Sequence, residues 1–370
     1  MKKIGVITLF GDYNMGNKLQ TYAVMQLYRS LGHDVAAVNH VEWELVPNKT
    51  FSRRIRWIFK SIFVRIFPKF HPNLRRRRIF LEFSENYLIP AETVSIRHIP
   101  PELKARYNFF SVGSDQVWHN WTGNPEELDF FFLKFADRRQ RLCLSPSFGL
   151  ESVPEEQTTT YREGLNGFLR LSCREESGVK LIHDLTGRDA ALLLDPTMCL
   201  SAAEWERLER KPAYPLPEGY VLSYILSSIP RETRDAVSRY SRLLNADVVT
   251  INNADNKTEY YAATGPQEFL YLIRHASLVC TNSFHGTVFS ILFHKNFVCF
   301  NRGNASAKGD MSNRITTLLD KFHLSTRRHG VLADEDLLST DYAGAEETLS
   351  RERERVLDYL REALADNGEE

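Results

Sequence analysis

Two doubly wound α/β domains facing a cleft are what this sequence predicts, on three observations. Short apolar runs of strand length alternate with stretches whose apolar residues recur at helical spacing. The runs fall into two series, separated by Lys211-Pro212-Ala213-Tyr214-Pro215-Leu216-Pro217, a proline-rich stretch that suits an inter-domain linker. The length, 370 residues, fits two domains or three at roughly 100–200 residues each.

The elements follow in order. Met1-Lys2-Lys3 ahead of an apolar run superficially resembles a leader peptide. The run is short and meets Gly11-Asp12 without a small-residue cleavage site, so a first strand over Lys3–Phe10 is expected instead. Gly11–Asn17 is a polar loop. Over Lys18–Leu31, Leu19, Tyr22, Ala23, Gln26, Leu27 and Ser30 share one helical face; Gly32 then ends the helix before a strand at Asp34–Asn39. Two strands joined this way make a parallel βαβ unit. Further strands are expected at Tyr107–Val112, Arg141–Ser147, Phe168–Ser172 and Ala191–Leu194. The second series reads strand Val221–Leu226, helix Arg231–Leu244, strand Asp247–Asn252, helix Pro266–Ala276, strand Leu278–Thr281, helix His285–His294 and strand Asn296–Phe300. The expected domains are therefore Rossmann-like: 1–210 and 218–330, flanking a linker at 211–217. Residues 331–370 form an acidic tail with a surface helix over Ala345–Ala365.

With 47 basic and 47 acidic side chains the net charge is zero, which argues against a dedicated nucleic-acid binder. The zero is a cancellation. Phe51–Phe80 holds ten Lys/Arg and no acid, whereas Val331–Glu370 holds thirteen acids and four Arg. Ile55, Ile58, Phe59, Ile62, Phe63, Ile66 and Phe67 recur at helical spacing, with Arg53, Arg54, Lys60 and Arg65 mainly off that face and Arg75–Arg78 following. Two readings stand: a basic amphipathic insertion lying on an anionic membrane surface, or an insertion packed on the first domain. No stretch approaches the ~20 apolar residues of a membrane span. Cys143, Cys173, Cys199, Cys280 and Cys299 are dispersed and show no metal-ligand spacing, so free buried thiols in a reducing cytoplasm are expected.

Five polar segments follow strands, where α/β folds place ligand contacts. Gly11-Asp12-Tyr13-Asn14-Met15-Gly16-Asn17-Lys18 opens a helix and can present backbone N–H groups to an anion, or be an ordinary turn. It lacks the spacing of a dinucleotide fingerprint, and Asn17 stands where a phosphate loop needs lysine, which excludes an NTPase. Gly113-Ser114-Asp115-Gln116 is a site or a turn capped by Asp115. Arg174, where a strand gives way to a helix, suits a bidentate grip on carboxylate or phosphate, or a salt bridge to a neighbouring Glu. In Thr281-Asn282-Ser283-Phe284-His285-Gly286, Asn282 or Ser283 caps a helix whose positive end favours neutral His285 and bound anions, and Gly286 permits close approach. The last is Asn301–Asp310, where Arg302 and Lys308, with Arg314 behind them, can add positive charge.

The ordered set resembles the polysaccharide pyruvyl transferase family. It comprises Gly-Asp-Tyr-Asn-Met-Gly-Asn-x-Leu-Gln-x-Tyr-Ala from Gly11, Gly113-Ser114-Asp115-Gln116-Val117-Trp118, Ser172-Cys173-Arg174-Glu175 and Asp195-Pro196-Thr197. Gly265-Pro266-Gln267-Glu268-Phe269, Thr281–Gly286 and Asn313-Arg314-Ile315-Thr316-Thr317-Leu318-Leu319 complete it. The resemblance implies a GT-B-like fold and transfer of pyruvate from phosphoenolpyruvate to two hydroxyls of a hexose, giving a ketal in surface polysaccharide or lipid-linked oligosaccharide synthesis. It implies no metal and no cofactor beyond phosphoenolpyruvate as donor.

His285 matches the family's His-Gly motif and is the expected general acid/base; Arg174 matches its Ser-x-Arg-Glu arginine. Asp115 is the expected base or hydroxyl ligand for the sugar. Donor contacts are expected from Arg174, Asn282, Ser283, Gly286, Arg302 and Arg314, and acceptor contacts from Asn14, Gly16, Asn17, Gln20, Ser114 and Gln116. Some members carry a second donor-binding Arg where Ser283 stands, so Arg314 or Arg302 must replace it. Two other readings remain at this stage. One is a GT-B glycosyltransferase with a nucleotide-sugar donor, whose ribose Glu259 or Glu268 would hold; the other is a non-catalytic sugar-binding protein of capsule assembly. The expected location is cytoplasmic, on the inner face of the plasma membrane if residues 51–80 bind lipid.

Overall fold

A computed structural model describes residues 1–10, 13–40, 72–251, 258–301 and 313–368. The first half of the chain builds one parallel sheet from β1 (Lys3–Ile7), β2 (Asp34–His40), β3 (Pro90–Val94), β4 (Phe109–Val112) and β5 (Arg141–Cys143). Their order is β3-β2-β1-β4-β5. β1 is central and covered on both faces, which is why its apolar run is continuous rather than alternating. The next helix, Met15–Ser30, buries Leu19, Ala23 and Leu27 as its periodicity predicts. It begins three residues before the expected Lys18 because Asn14 caps it, accepting the Asn17 N–H at 3.2 Å.

β6 (Ser172–Cys173) and β7 (Ala191–Leu192) form a separate short parallel pair. The second half builds another parallel sheet from β8 (Tyr220–Tyr224), β9 (Asp247–Thr250), β10 (Leu278–Thr281) and β11 (Phe297–Cys299), in the order β11-β10-β8-β9. Several strands are shorter than their apolar runs. The run at Arg141–Ser147 leaves the ladder after Cys143, and Ser145 turns the chain with a φ of 48°. Cys143, Cys173, Cys280 and Cys299 are buried free thiols, and Cys199 is partly buried. No helix among the described residues is long and apolar enough to cross a membrane.

The C-terminal helix, Ala345–Gly368, returns to the first half instead of standing free. Val356 and Leu360 are buried; the Tyr359 hydroxyl donates to the Cys143 carbonyl at 2.9 Å, and Arg353 donates to Met198 O and Leu200 O, both at 2.7 Å. Arg361 and Asp358 pair on its exposed side.

Residues 51–71 lie outside the described residues, but Arg75–Arg78 belong to the helix Pro72–Tyr87, which packs on the second half. Arg76 is 1% exposed, with Nη1 donating towards Ile251 O, Tyr261 O and Thr264 O at 3.4, 2.7 and 3.3 Å. Arg75 pairs with Glu259, Arg78 with Glu82, and Arg77 is buried. Arg76 and Arg77 are thus drawn into the protein, while Arg75 and Arg78 stay half-buried at the surface. Arg76→Met removes a charged donor from buried carbonyls, so stability should fall by about 1.5–3 kcal/mol, read as a lower urea midpoint.

Candidate functional site

The turns that follow β1, β4, β6, β7 and β10 leave the carboxyl ends of parallel strands, where such folds place ligands. They bring Asn17, Asp115, Arg174, Asp195 and His285 into one cluster. Asp115 sits in the left-handed region at φ 69°, which Asp tolerates better than most side chains. Its carboxylate accepts from the Asn17 side-chain amide, from its neighbour Gln116 N at 2.9 Å and from Arg174 Nη2 at 3.2 Å.

Arg174 has a side chain only 1% exposed. Nη1 donates to Asp195 Oδ2 at 2.9 Å, and Nε lies 3.8 Å from Glu175 Oε2. Its guanidinium carbon stands 4.5 Å from the Phe284 ring centroid, with that of Arg314 at 6.0 Å from the same ring. Burial alone would lower the Arg174 pKa, but Asp115, Asp195 and Glu175 outweigh it and the net shift is upward. Of the two readings of its sequence position, the salt bridge is the one this structure shows: Arg174 is engaged by the protein's own carboxylates.

Asp195 is fully buried and held by four donors. Oδ1 accepts from Thr197 N at 3.0 Å and Thr197 Oγ1 at 2.6 Å, and Oδ2 accepts from Ser114 Oγ at 2.6 Å besides Arg174. Burial pushes its pKa up, yet His285, Arg174, Ser114 and Thr197 win and hold it at about 2.

His285 lies in the first turn of the helix Phe284–Leu292, capped by Ser283, whose Oγ accepts Gly286 N at 3.3 Å. The imidazole crosses to the first half. A Cβ on Gly16 would stand 2.1 Å from His285 Nδ1, so only glycine at the start of the helix Met15–Ser30 leaves room for the ring. Nε2 faces Asp195 Oδ1 at 3.8 Å. Burial lowers the imidazole pKa, opposed by Asp195 and Asp115 and reinforced by Arg174 and Arg314, so the ring is neutral at pH 7. Two helix N-termini, each carrying partial positive charge, meet at this Gly16–His285 contact.

Several expected ligand contacts are spent within the fold. Asn282 clamps the end of the second sheet, accepting Leu226 N at 2.7 Å and donating to Leu226 O at 3.2 Å. Gly286 makes room not for a ligand but for Thr281, whose Oγ1 a Cβ would meet at 2.4 Å. Gln20 is buried beneath its helix, bonded to Thr8 Oγ1 at 2.7 Å. Asn14 is exposed as a helix cap, while the buried Gln116 side-chain nitrogen has no hydrogen-bond partner. Arg302 and Lys308 lie outside the described residues. Glu268 caps its own helix through Gly265 N at 2.9 Å and pairs with Arg210, and Glu259 is held by Arg75, so neither stands ready for a ribose. Among the described residues no His, Cys, Asp and Glu cluster has the arrangement of a metal site.

Sequence reasoning left Asp195 and Phe284 without roles. The one local signal was Asp195-Pro196-Thr197, an Asp able to cap the turn behind it.

A family model described as polysaccharide pyruvyl transferase matches residues 14–304. No curated protein sequence matches the chain. Among solved structures, a candidate UDP-N-acetylglucosamine 2-epimerase of Listeria monocytogenes is 9% identical, with a TM-score of 0.50 over 95% of this chain and 94% of that one. The UDP-GlcNAc 2-epimerase of Neisseria meningitidis bound to UDP-GlcNAc gives 0.48 at 7% identity, covering 98% and 100%. An Anabaena protein in complex with UDP and glucose gives 0.48 at 10%, covering 98% and 99%. The Listeria likeness shows the fold, two Rossmann-like sheets of the GT-B type.

Proposed function

Because the chain belongs to the polysaccharide pyruvyl transferase family, we propose that it transfers pyruvate from phosphoenolpyruvate to two hydroxyls of a hexose unit in a polysaccharide or lipid-linked oligosaccharide. The observation that carries this reading is the neutral His285, seated where two helix N-termini meet and beside Asp115. Phosphoenolpyruvate brings about three negative charges, which helix N-termini and guanidinium groups counter. The cluster itself sets two guanidiniums, Arg174 and Arg314, against three carboxylates, Asp115, Asp195 and Glu175. Arg174 is engaged by those carboxylates, so in this reading the helix ends meet the donor.

The reaction balances on these groups. His285 takes the proton of one sugar hydroxyl and delivers it to the donor's methylene carbon, which becomes the methyl group. The hydroxyl oxygen bonds to the resulting electron-poor carbon. The second hydroxyl then displaces phosphate, and its proton leaves with the phosphate as hydrogen phosphate. In this reading Asp115, held by Asn17 and Arg174, orients the hydroxyls or relays the second proton to the departing phosphate.

The test is incubation with phosphoenolpyruvate and a panel of lipid-linked and aryl hexosides. Release of inorganic phosphate together with a pyruvyl ketal detected by mass is expected. No ketal with any acceptor, combined with thermal stabilisation by a nucleoside diphosphate and not by phosphoenolpyruvate, would overturn the reading.

A further inference from the structure

We propose that Asp195 is the positioning residue for His285, standing behind Nε2 so that the ring presents Nδ1, beside Gly16, to the reacting proton. The inference rests on the pyruvyl-transfer reading for what that proton does, but not for where the ring stands. Asp195 comes from the turn after β7 in the first half, and His285 from the helix after β10 in the second. Nε2 is buried without a hydrogen-bond partner among the described residues, and Asp195 Oδ1 lies 3.8 Å away. A neutral imidazole carries one N–H and one lone pair. With the lone pair on Nε2, two electron-rich atoms would face each other in a site from which water is excluded. With the proton on Nε2, the contact is attractive, and a shift of under about 1 Å closes it into a hydrogen bond, as catalytic contacts often do on ligand binding. The lone pair is then on Nδ1, on the edge that packs against Gly16.

The carboxylate is suited to this because it does not turn away or titrate near neutrality. Thr197 holds Oδ1 twice, at 3.0 and 2.6 Å, and Ser114 and Arg174 hold Oδ2 at 2.6 and 2.9 Å. The other charged groups acting on the imidazole are Asp115 and Arg174 from the first half and Arg314 from the helix Asn313–Lys321. Asp115 reinforces Asp195 in favouring a protonated ring, while the two arginines oppose it. Asp195 Oδ1 stands 3.8 Å from Nε2.

A purely structural role is the competing account, since Asp195 also pairs with Arg174 and caps its own turn. The deciding measurement is the nitrogen NMR spectrum of histidine-labelled protein at neutral pH, with the His285 signals identified by their loss in His285→Ala. The expected result is a protonated Nε2 and an unprotonated Nδ1; the reverse tautomer overturns the proposal whatever the enzyme catalyses. In Asp195→Asn the amide can donate as well as accept. That variant is expected to lose the single tautomer and to lower kcat about 10²–10⁴-fold, with the donor KM little changed and the acid limb of the pH–rate profile moved to lower pH. A folded Asp195→Asn variant with wild-type tautomer, kcat and pH profile overturns the proposal. If the wild-type tautomer is as expected but no acceptor yields a ketal, the functional reading fails and the placement of the imidazole stands.

Discussion

Alanine at position 16 lowers turnover as far as alanine at position 285 does, about 10²–10⁴-fold, and the double variant is no slower than either single one. The reason is geometric. The methyl group of Gly16→Ala would lie 2.1 Å from His285 Nδ1 and 2.7 Å from both Cε1 and Cγ, so the whole ring must leave its place. Once the ring is displaced, deleting it removes nothing more, and residues acting as one unit give such non-additive losses. The stability change runs the other way. Gly16 lies in the first turn of the helix Met15–Ser30, and alanine is a better helix former than glycine by about 0.5–1 kcal/mol in a helix interior. Gly16→Ala should therefore melt no more than a few degrees from wild type while losing its activity. Steady-state rates and melting temperatures of the three variants check this. Losses that multiply in the double variant would mean that Gly16 serves the acceptor directly.

The contrast between position 16 and position 285 shows what could be read from the chain alone. Apolar periodicity located β1, β8 and β10 and the helices after them, because burial on both faces of a parallel strand leaves a continuous apolar run. It also placed His285 in a first helical turn, since Ser283 advertises the cap locally. What the ring touches was not legible. Gly16 and Asp195 lie 269 and 90 residues away in sequence, and the contacts arise only when the two sheets face each other. The same holds for Arg76, whose run of four arginines reads as a surface patch until the second half supplies its carbonyls. Arg174 was found at the right strand end, but its partners Asp115 and Asp195 are brought in by two other strands of the first half.

Arg174 is where sequence and structure imply different experiments. If its guanidinium existed to grip the donor, Arg174→Met would raise the donor KM and leave the melting temperature alone. The structure implies the opposite ordering. Methionine keeps much of the apolar contact with Phe284 but removes the cation shared by Asp115 and Asp195 and approached by Glu175. Breaking a buried ion pair by deleting one partner costs about 3–5 kcal/mol, because the remaining charge stays buried and uncompensated. A loss of that size at pH 7 is the expected result of urea denaturation. The pH dependence follows from Asp195, whose folded pKa is depressed from 3.8 to about 2. A depressed carboxylate contributes stability that is fully present above its unfolded pKa and disappears as pH falls through the folded one. Wild-type protein should thus lose this contribution between about pH 4 and 2. The variant has forfeited the Arg174 share already, so the two urea midpoints should converge over that window. Midpoints that stay parallel down to pH 2 would mean that the three carboxylates do not depend on Arg174. The arginine would then be free to serve the donor after all.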